Sequence, residues 1–377
     1  MRILFDAHLS ENKVTGIGRY INELIKALLL IDQKNEYVIL IFDDLSPEHP
    51  LIRLEAPNLM KVSVNLKRLS FKQHWTIQKL VRCYKPDVYH HPHFDLPLGI
   101  STPSVVTIHD VRSLCHLEFL LNWSRLKREY MRWMFQSALQ RANKVIAVSE
   151  ATKNDLCEMF SIDRVKVIVV HHGIHSIGEN RSNSDQDFFE NYGIKKPFLL
   201  FVGERRPHKN LLRLIDAFHS VIKTVGKELQ LVIVGRSYKD YDAPERAIAE
   251  RGLDQQVILM DYLEDEFLEI LYRNAEMLVL PSLYEGFGFP ILEAMKFDLP
   301  VIGANAASIP EILSNTGLLV DPLNPEEMAE KIISLLTSQQ LKDKLIRLEK
   351  ERLKEFTWEK TALKTLNVYE QVYDESH

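Results

Sequence analysis

Short runs of β-branched and other apolar residues recur along this 377-residue chain, and stretches with helical spacing separate them. Ile3-Leu4-Phe5, Tyr37–Phe42, Lys61–Val64, Asp87–His90, Ser104–Ile108, Lys144–Val148 and Val165–Val170 form a first series. A helix is predicted from Gly18 to about Leu30. A polar segment, residues 176–191, SIGENRSNSDQDFFEN, interrupts the alternation and reads as a linker. The alternation then restarts with Phe198–Val202, Gln230–Val234, Val257–Met260, Glu276–Leu280, Val301-Ile302-Gly303 and Gly317–Val320, and from Pro325 the pattern is helical. Strands joined by helices pair in parallel, because a parallel neighbour needs a crossover about as long as a helix. The expected fold class is therefore α/β, with two doubly wound, Rossmann-like domains over residues 1–178 and 190–361 facing across a cleft. Ligands of such sheets bind near the carboxyl ends of the strands.

Composition bounds the class. With 46% hydrophobic and 26% charged residues the chain can fill two cores of ordinary size. No apolar run approaches the roughly 20 residues of a membrane-spanning helix. Met1-Arg2-Ile3-Leu4-Phe5-Asp6 enters a strand directly, so no signal peptide is expected. Cys83, Cys115 and Cys157 are far apart and form no CxxC, which points to reduced thiols in a cytoplasmic protein. The net charge of −5 is unevenly divided: residues 1–175 carry a balance of +5 and the remainder −10. The basic excess gathers at Lys67–Trp75 and from Arg125 to Trp133. Cations mixed with Trp and Phe suit peripheral contact with an anionic membrane or an anionic acceptor, and equally a solvated helix face. No recognised motif accompanies the charge, so nucleic acid is not an expected partner.

The segment richest in chemistry is 281–296, PSLYEGFGFPILEAMK. Met277–Leu280 reads as a buried strand that Pro281 ends. Glu285-Gly286-Phe287-Gly288-Phe289 is a glycine-rich turn, and Pro290 suits the first position of a helix. The N–H groups of a first helical turn, with the helix dipole, make a site for phosphate. Glu285 and Glu293 bracket that site. Carboxylates repel phosphate but accept hydrogen bonds from hydroxyls, which suits the sugar and ribose that a diphosphate carries. Either glutamate alone reads as an ordinary loop or first-turn residue; the arrangement favours a ligand.

Other signals are weaker. Gly16-Ile17-Gly18 begins like a dinucleotide fingerprint but has Ile21 where the third glycine belongs, which argues against NAD. It is either a loop admitting a ligand phosphate or sugar, with Arg19 nearby, or a plain turn. Gly203 to Asn210, GERRPHKN, places three cations after a strand, where Arg205, Arg206 and Lys209 could stabilise a departing diphosphate. His109 ends the strand Ser104–Ile108 and suits a sugar hydroxyl, proton transfer or a structural role. His90-His91-Pro92-His93 suggests metal only superficially, since no carboxylate or cysteine lies at ligand spacing. Asp43-Asp44 lacks the surroundings of a metal-binding pair. No metal site is expected.

TGIGRY (Thr15–Tyr20), TIHD (Thr107–Asp110), VSEATKNDL (Val148–Leu156), FVGERRPHKN (Phe201–Asn210), SLYEGFGFPILEAM (Ser282–Met295), SIPEI (Ser308–Ile312) and FTWEKTA (Phe356–Ala362) together resemble the retaining glycosyltransferases of family 4, which have the GT-B fold. The likeness spans nearly the whole chain, and the E-x7-E of Glu285 and Glu293 is its most specific part. The resemblance implies an N-terminal acceptor domain and a C-terminal nucleotide-sugar domain, with a last helix, about 362–377, returning to the first. It implies that Glu285 faces the donor sugar and Glu293 the ribose. Backbone N–H groups from Gly286 and Phe287 to Gly288 and Phe289 would meet sugar and diphosphate. Lys209 matches the family's phosphate lysine. The partner arginine usually follows the strand-end glycine directly, where this chain has Glu204, so Arg205 or Arg206 must substitute. His109 matches a histidine near the reacting sugar, and Gly16 and Gly18 lie on the donor's side. His172-Gly173 departs from the family's usual Asn-Gly.

Front-face attack with retention follows from that resemblance, the leaving diphosphate drawing the acceptor proton without cofactor or metal. GDP-mannose is the preferred donor over UDP-glucose, and the acceptor is a glycan or lipid-linked glycan at the cytoplasmic membrane face. A nucleotide-sugar epimerase and a non-catalytic nucleotide-sugar binding module are the alternatives.

Overall fold

The computed structural model describes residues 1–12, 15–66, 70–115, 124–174, 185–239 and 241–376, with the side chains of Ser113 and Cys115 excluded. The chain divides into two compact units, Met1–Gly173 with Phe356–His377, and Ile174–Glu355.

The first unit is built on seven strands: β1 (Arg2–Asp6), β2 (Glu36–Phe42), β3 (Leu59–Val64), β4 (Val88–His91), β5 (Ser104–Ile108), β6 (Lys144–Ala147) and β7 (Val167–Val169). All pair in parallel, in the order β3-β2-β1-β4-β5-β6-β7. β1 from Ile3 onward, and β4, β5 and β6 throughout, are buried without alternation, as strands of a parallel sheet covered on both faces are. The helix Gly16–Ile31 follows β1 and buries Tyr20, Ile21, Leu24, Ile25 and Leu28, a stripe of period 3.6. Thr15 caps it by accepting the Gly18 N–H at 3.0 Å. The last helix, Trp358–Asp374, packs on Gly16–Ile31 with Ala362, Thr365, Val368 and Tyr369 buried. The Thr361 hydroxyl ties its first turn to the His171 carbonyl at 2.8 Å.

The second unit has six parallel strands: β8 (Phe198–Val202), β9 (Gln230–Val234), β10 (Val257–Met260), β11 (Met277–Leu280), β12 (Val301–Ala304) and β13 (Leu318–Val320). Their order is β10-β9-β8-β11-β12-β13. In each sheet the chain works outward to one edge and then restarts beside its first strand. This puts a topological switch point between β1 and β4 and another between β8 and β11, where ligands of open parallel sheets bind.

Three expectations need correction. The first helix begins at Gly16, so both glycines of the loop lie in its first turn. Residues 164–166 are a 3-10 turn, and the strand that follows is only Val167–Val169. The expected linker is helical from Asp185 to Tyr192, because Phe188 and Phe189 are buried, Phe188 stacking on Phe267 with centroids 5.5 Å apart. Residues 176–184 of that segment, and Lys67–Leu69 of the basic segment, lie outside the described residues. Among the described residues no helix is long and apolar enough to cross a membrane. Cys83 and Cys157 carry free thiols.

Candidate active site

The switch point of the second unit is assembled by two loops, one from β8 and one from β11. Gly203 (φ +155) and Gly235 (φ +149) end β8 and β9, and the two backbones touch so closely that a Cβ on Gly235 would sit 2.0 Å from the Gly203 carbonyl oxygen. Only glycine fits there. The β8 loop then turns through Pro207–Lys209 into Asn210, itself left-handed at φ +60. Asn210 is buried, and its side-chain amide donates to the carbonyls of Pro281 (3.0 Å) and Pro322 (2.7 Å). The Leu283 N–H donates to the His208 carbonyl at 2.8 Å. These bonds lock the loops together and bring the Lys209 ammonium 2.5 Å from Oε1 of Glu285.

The glycine-rich turn is held from behind. The buried Ser308 hydroxyl lies 2.9 Å from the carbonyl oxygens of both Glu285 and Phe287. Gly288 caps the helix Phe289–Lys296 at φ +100, so Phe289 is its first residue and Pro290 its second, one position later than expected. The Phe287 and Phe289 rings meet edge-on at 5.4 Å. Glu293, one turn in, is nearly buried, and the fully buried Tyr272 donates its hydroxyl to Oε2 at 2.7 Å. Sequence reading missed Tyr272, whose only signal is its place in the preceding helix.

The two candidate arginines diverge. Arg205 is buried, with Nη1 3.3 Å from the Met260 carbonyl and Nε 3.3 Å from Glu245. Arg206 lies over the Tyr238 ring at 4.4 Å and pairs with Glu204 at 2.6 Å.

The other expected residues belong to the first unit. Gly16 has open space where a Cβ would point, whereas a Cβ on Gly18 would lie 3.3 Å from Thr15 Oγ1. His109 follows β5, and its Nε2 is 3.1 Å from the Pro92 carbonyl, a contact that places the proton on Nε2. Its ring meets Tyr20 edge-on at 4.8 Å and stacks on His172 at 5.5 Å. His172 is buried between Tyr20 and Trp358. Burial, then the charges of His109 and His171, hold its pKa well below the usual histidine range. The departure from Asn-Gly thus builds an aromatic wall for His109. His90 is buried between Tyr369 (2.6 Å) and Thr107 (2.8 Å). His91 does have carboxylate partners, Asp6 and Asp95, contrary to expectation; Asp6 is 85 residues away in sequence. Among the described residues no group of three or more His, Cys, Asp or Glu is arranged to hold a metal ion.

Residues 14–176 match the family described as Glycosyltransferase Family 4, and residues 184–352 match Glycosyl transferases group 1. The chain belongs to glycosyltransferase family 4. O-antigen chain mannosyltransferase B of Escherichia coli is 26% identical to this glycosyltransferase over 98% of the chain and 99% of its own length. The fold is that of GT-B structures. Sucrose-phosphate synthase of Thermosynechococcus elongatus superposes with a TM-score of 0.77 at 19% identity, covering 99% of both chains. Anabaena HepE, solved with UDP and glucose, gives 0.76 at 18% identity over 98% of this chain and 100% of its own.

Proposed function

We propose that the enzyme is a retaining, metal-independent mannosyltransferase that moves mannose from GDP-mannose to a glycan or lipid-linked acceptor during synthesis of a bacterial surface polysaccharide. The observation that carries the donor half is the Lys209–Glu285 pair, fixed over the glycine turn at the β8/β11 switch point. A cation and an adjacent acceptor are what a sugar diphosphate requires, the ammonium for phosphate oxygens and the carboxylate for a sugar hydroxyl. Tyr272 holds Glu293 in the position expected to meet the ribose. In the transfer the bond between the anomeric carbon and the diphosphate oxygen breaks. The acceptor oxygen bonds to the same face, and its proton passes to the departing phosphate. Lys209 and an arginine take up the charge that develops. The preference for mannose rests on the Escherichia coli relative's name and its full-length match.

The acceptor unit also suits an anionic membrane surface. Phe71 and Trp75 are exposed beside Lys72, and Leu126 and Trp133 are exposed along a helix that carries Arg125, Lys127, Arg128 and Arg132.

A thermal-shift panel of GDP-mannose, UDP-glucose and ADP-glucose tests the donor, since stabilisation follows affinity. GDP-mannose should raise the melting temperature most. Glu285→Ala should keep the fold and lose transfer; full transfer by that variant would remove Glu285 from the site. NMR of the product should show the donor's anomeric configuration, and EDTA should leave the rate unchanged.

A further inference from the structure

The first unit has its own switch point, between β1 and β4, and the side chains around it form a buried polar chain. β1 ends in Asp6 and β4 in His91. His8 Nδ1 bonds Asp6 Oδ1, Asp6 Oδ2 lies 3.1 Å from His91 Nδ1, and His91 Nε2 lies 3.0 Å from Asp95 Oδ1. His93 Nδ1 completes the series, 2.5 Å from the same Asp95 oxygen. The Tyr89 hydroxyl donates to Asp6 Oδ2 at 2.7 Å. All six members are more than nine-tenths buried, His8 being 2% exposed.

The protons of this chain can be assigned from its contacts. His91 faces a carboxylate at each ring nitrogen. Burial opposes its charge, but Asp95 and Asp6 outweigh that and raise its pKa to about 9, so it is an imidazolium donating both ways. Burial would likewise raise Asp6, yet His8 and His91 hold it well below the usual carboxylate range. Asp6 Oδ1 accepts a hydrogen bond from His8 Nδ1, so the other ring nitrogen, Nε2, is the end of the chain. That Nε2 is buried and has no hydrogen-bond partner.

A network that served only to stiffen the core would satisfy every member. Here the terminal atom is buried without a hydrogen-bond partner, beside the switch point at which parallel sheets bind ligands. A hydroxyl, which both donates and accepts, can pair with that nitrogen, and two carboxylates behind it disfavour an anion. We propose that the Asp6–His8 dyad is a hydroxyl-binding subsite of the acceptor unit, with His8 Nε2 hydrogen-bonded to a sugar hydroxyl of the acceptor glycan. Asp6 positions the ring, and His91 with Asp95 holds Asp6. The inference rests on the reading of the first unit as the acceptor's.

The probe is methyl α-D-mannopyranoside, added to the full chain labelled with 15N-histidine. The His8 Nε2 resonance, identified by its loss in His8→Phe, should shift on addition of the glycoside. Saturation-transfer NMR should show binding to wild type, weakened about tenfold in His8→Phe, as loss of one buried hydrogen bond implies. GDP-mannose stabilisation should stay unchanged in that variant. If His8→Phe does not fold, His8→Gln provides the comparison, since its amide can reach Asp6; it should bind the glycoside more weakly than wild type. An unmoved His8 resonance, no glycoside binding to wild type, or equal binding by the folded variant would overturn the subsite. Failure of the donor reading would appear separately, as no stabilisation by GDP-mannose with the glycoside response intact.

Discussion

Glu349 carries a prediction that can be worked to a magnitude. It lies in the helix Gln339–Leu353, which packs against the helix Phe289–Lys296 that bears Glu293. Its side chain is fully buried and neither carboxyl oxygen has a hydrogen-bond partner of ordinary geometry. Burial pushes the carboxyl up to about 8, with the Val301 backbone easing the charge and Asp298 adding to its cost. Between the ordinary value of 4.5 and about 8 the folded chain keeps a proton that the unfolded chain has released. Stability therefore falls as pH rises through that window, by about 1.4 kcal/mol per unit. At pH 7 the accumulated loss is on the order of 3 kcal/mol. Glu349→Gln has no proton to lose and should be more stable than wild type at pH 7 by up to about that amount. The gain should shrink toward zero near pH 4.5. Urea titrations at pH 5, 6, 7 and 8 measure it. All four tryptophans (Trp75, Trp123, Trp133 and Trp358) belong to the first unit, so their fluorescence reports that unit while far-UV circular dichroism reports both. The difference should appear in the dichroism. Parallel pH profiles for the two proteins, or a less stable variant at pH 8, would refute the argument.

Three further outcomes follow from contacts at the site. Tyr272→Phe should raise the KM for the nucleotide sugar several-fold with little change in kcat, because it removes one hydrogen bond that positions Glu293 without touching the reacting centre; an unchanged KM in steady-state assays counts against the role of Glu293. Ser308→Ala removes the hydroxyl behind the glycine turn and should cost about 1 kcal/mol in urea unfolding, with weaker donor stabilisation. Gly173→Ala would put a Cβ 2.2 Å from the Trp358 backbone nitrogen and 2.6 Å from the Thr357 carbonyl carbon, neither of which can rotate away. It should lower the melting temperature read by tryptophan fluorescence.

Much of this architecture is legible in the sequence because its signals are local. A strand buried on both faces is a continuous apolar run, and the loop chemistry at Gly203–Asn210 and Glu285–Phe289 lies within a few residues of a strand end. What escapes is whatever depends on strand order. Tyr272 reaches Glu293 across 21 residues, Asp6 reaches His91 across 85, and His90 reaches Tyr369 across 279. Of the two carboxylates that His91 meets, Asp95 lies four residues on and is within reach of a local search, but Asp6 is not. The pairing of Phe5 with His90 brings β1, and Asp6 with it, alongside. The segment 185–191 misleads for the opposite reason. Its polar composition hides Phe188 and Phe189, which are enough to seat a short helix against Phe267 and Phe198.

The arginine question shows how side-chain direction separates residues that sequence treats alike. Family resemblance places the diphosphate arginine directly after the strand-end glycine, where this chain has Glu204. The replacement must project from the same side of the loop as residue 204. Arg206 does so, since its Nε pairs with the Glu204 carboxylate at 2.6 Å. Arg205 instead runs inward, where the Met260 carbonyl and Glu245 hold it. Removing a buried guanidinium leaves Glu245 without its partner, so Arg205→Ala should chiefly lower the melting temperature. Arg206→Ala should leave the fold intact and weaken GDP-mannose binding by about tenfold or more, the scale of a charge-assisted hydrogen bond to phosphate. Donor titrations of the two variants distinguish them. Normal donor affinity in Arg206→Ala, with lost affinity and an unchanged melting temperature in Arg205→Ala, would reverse the assignment.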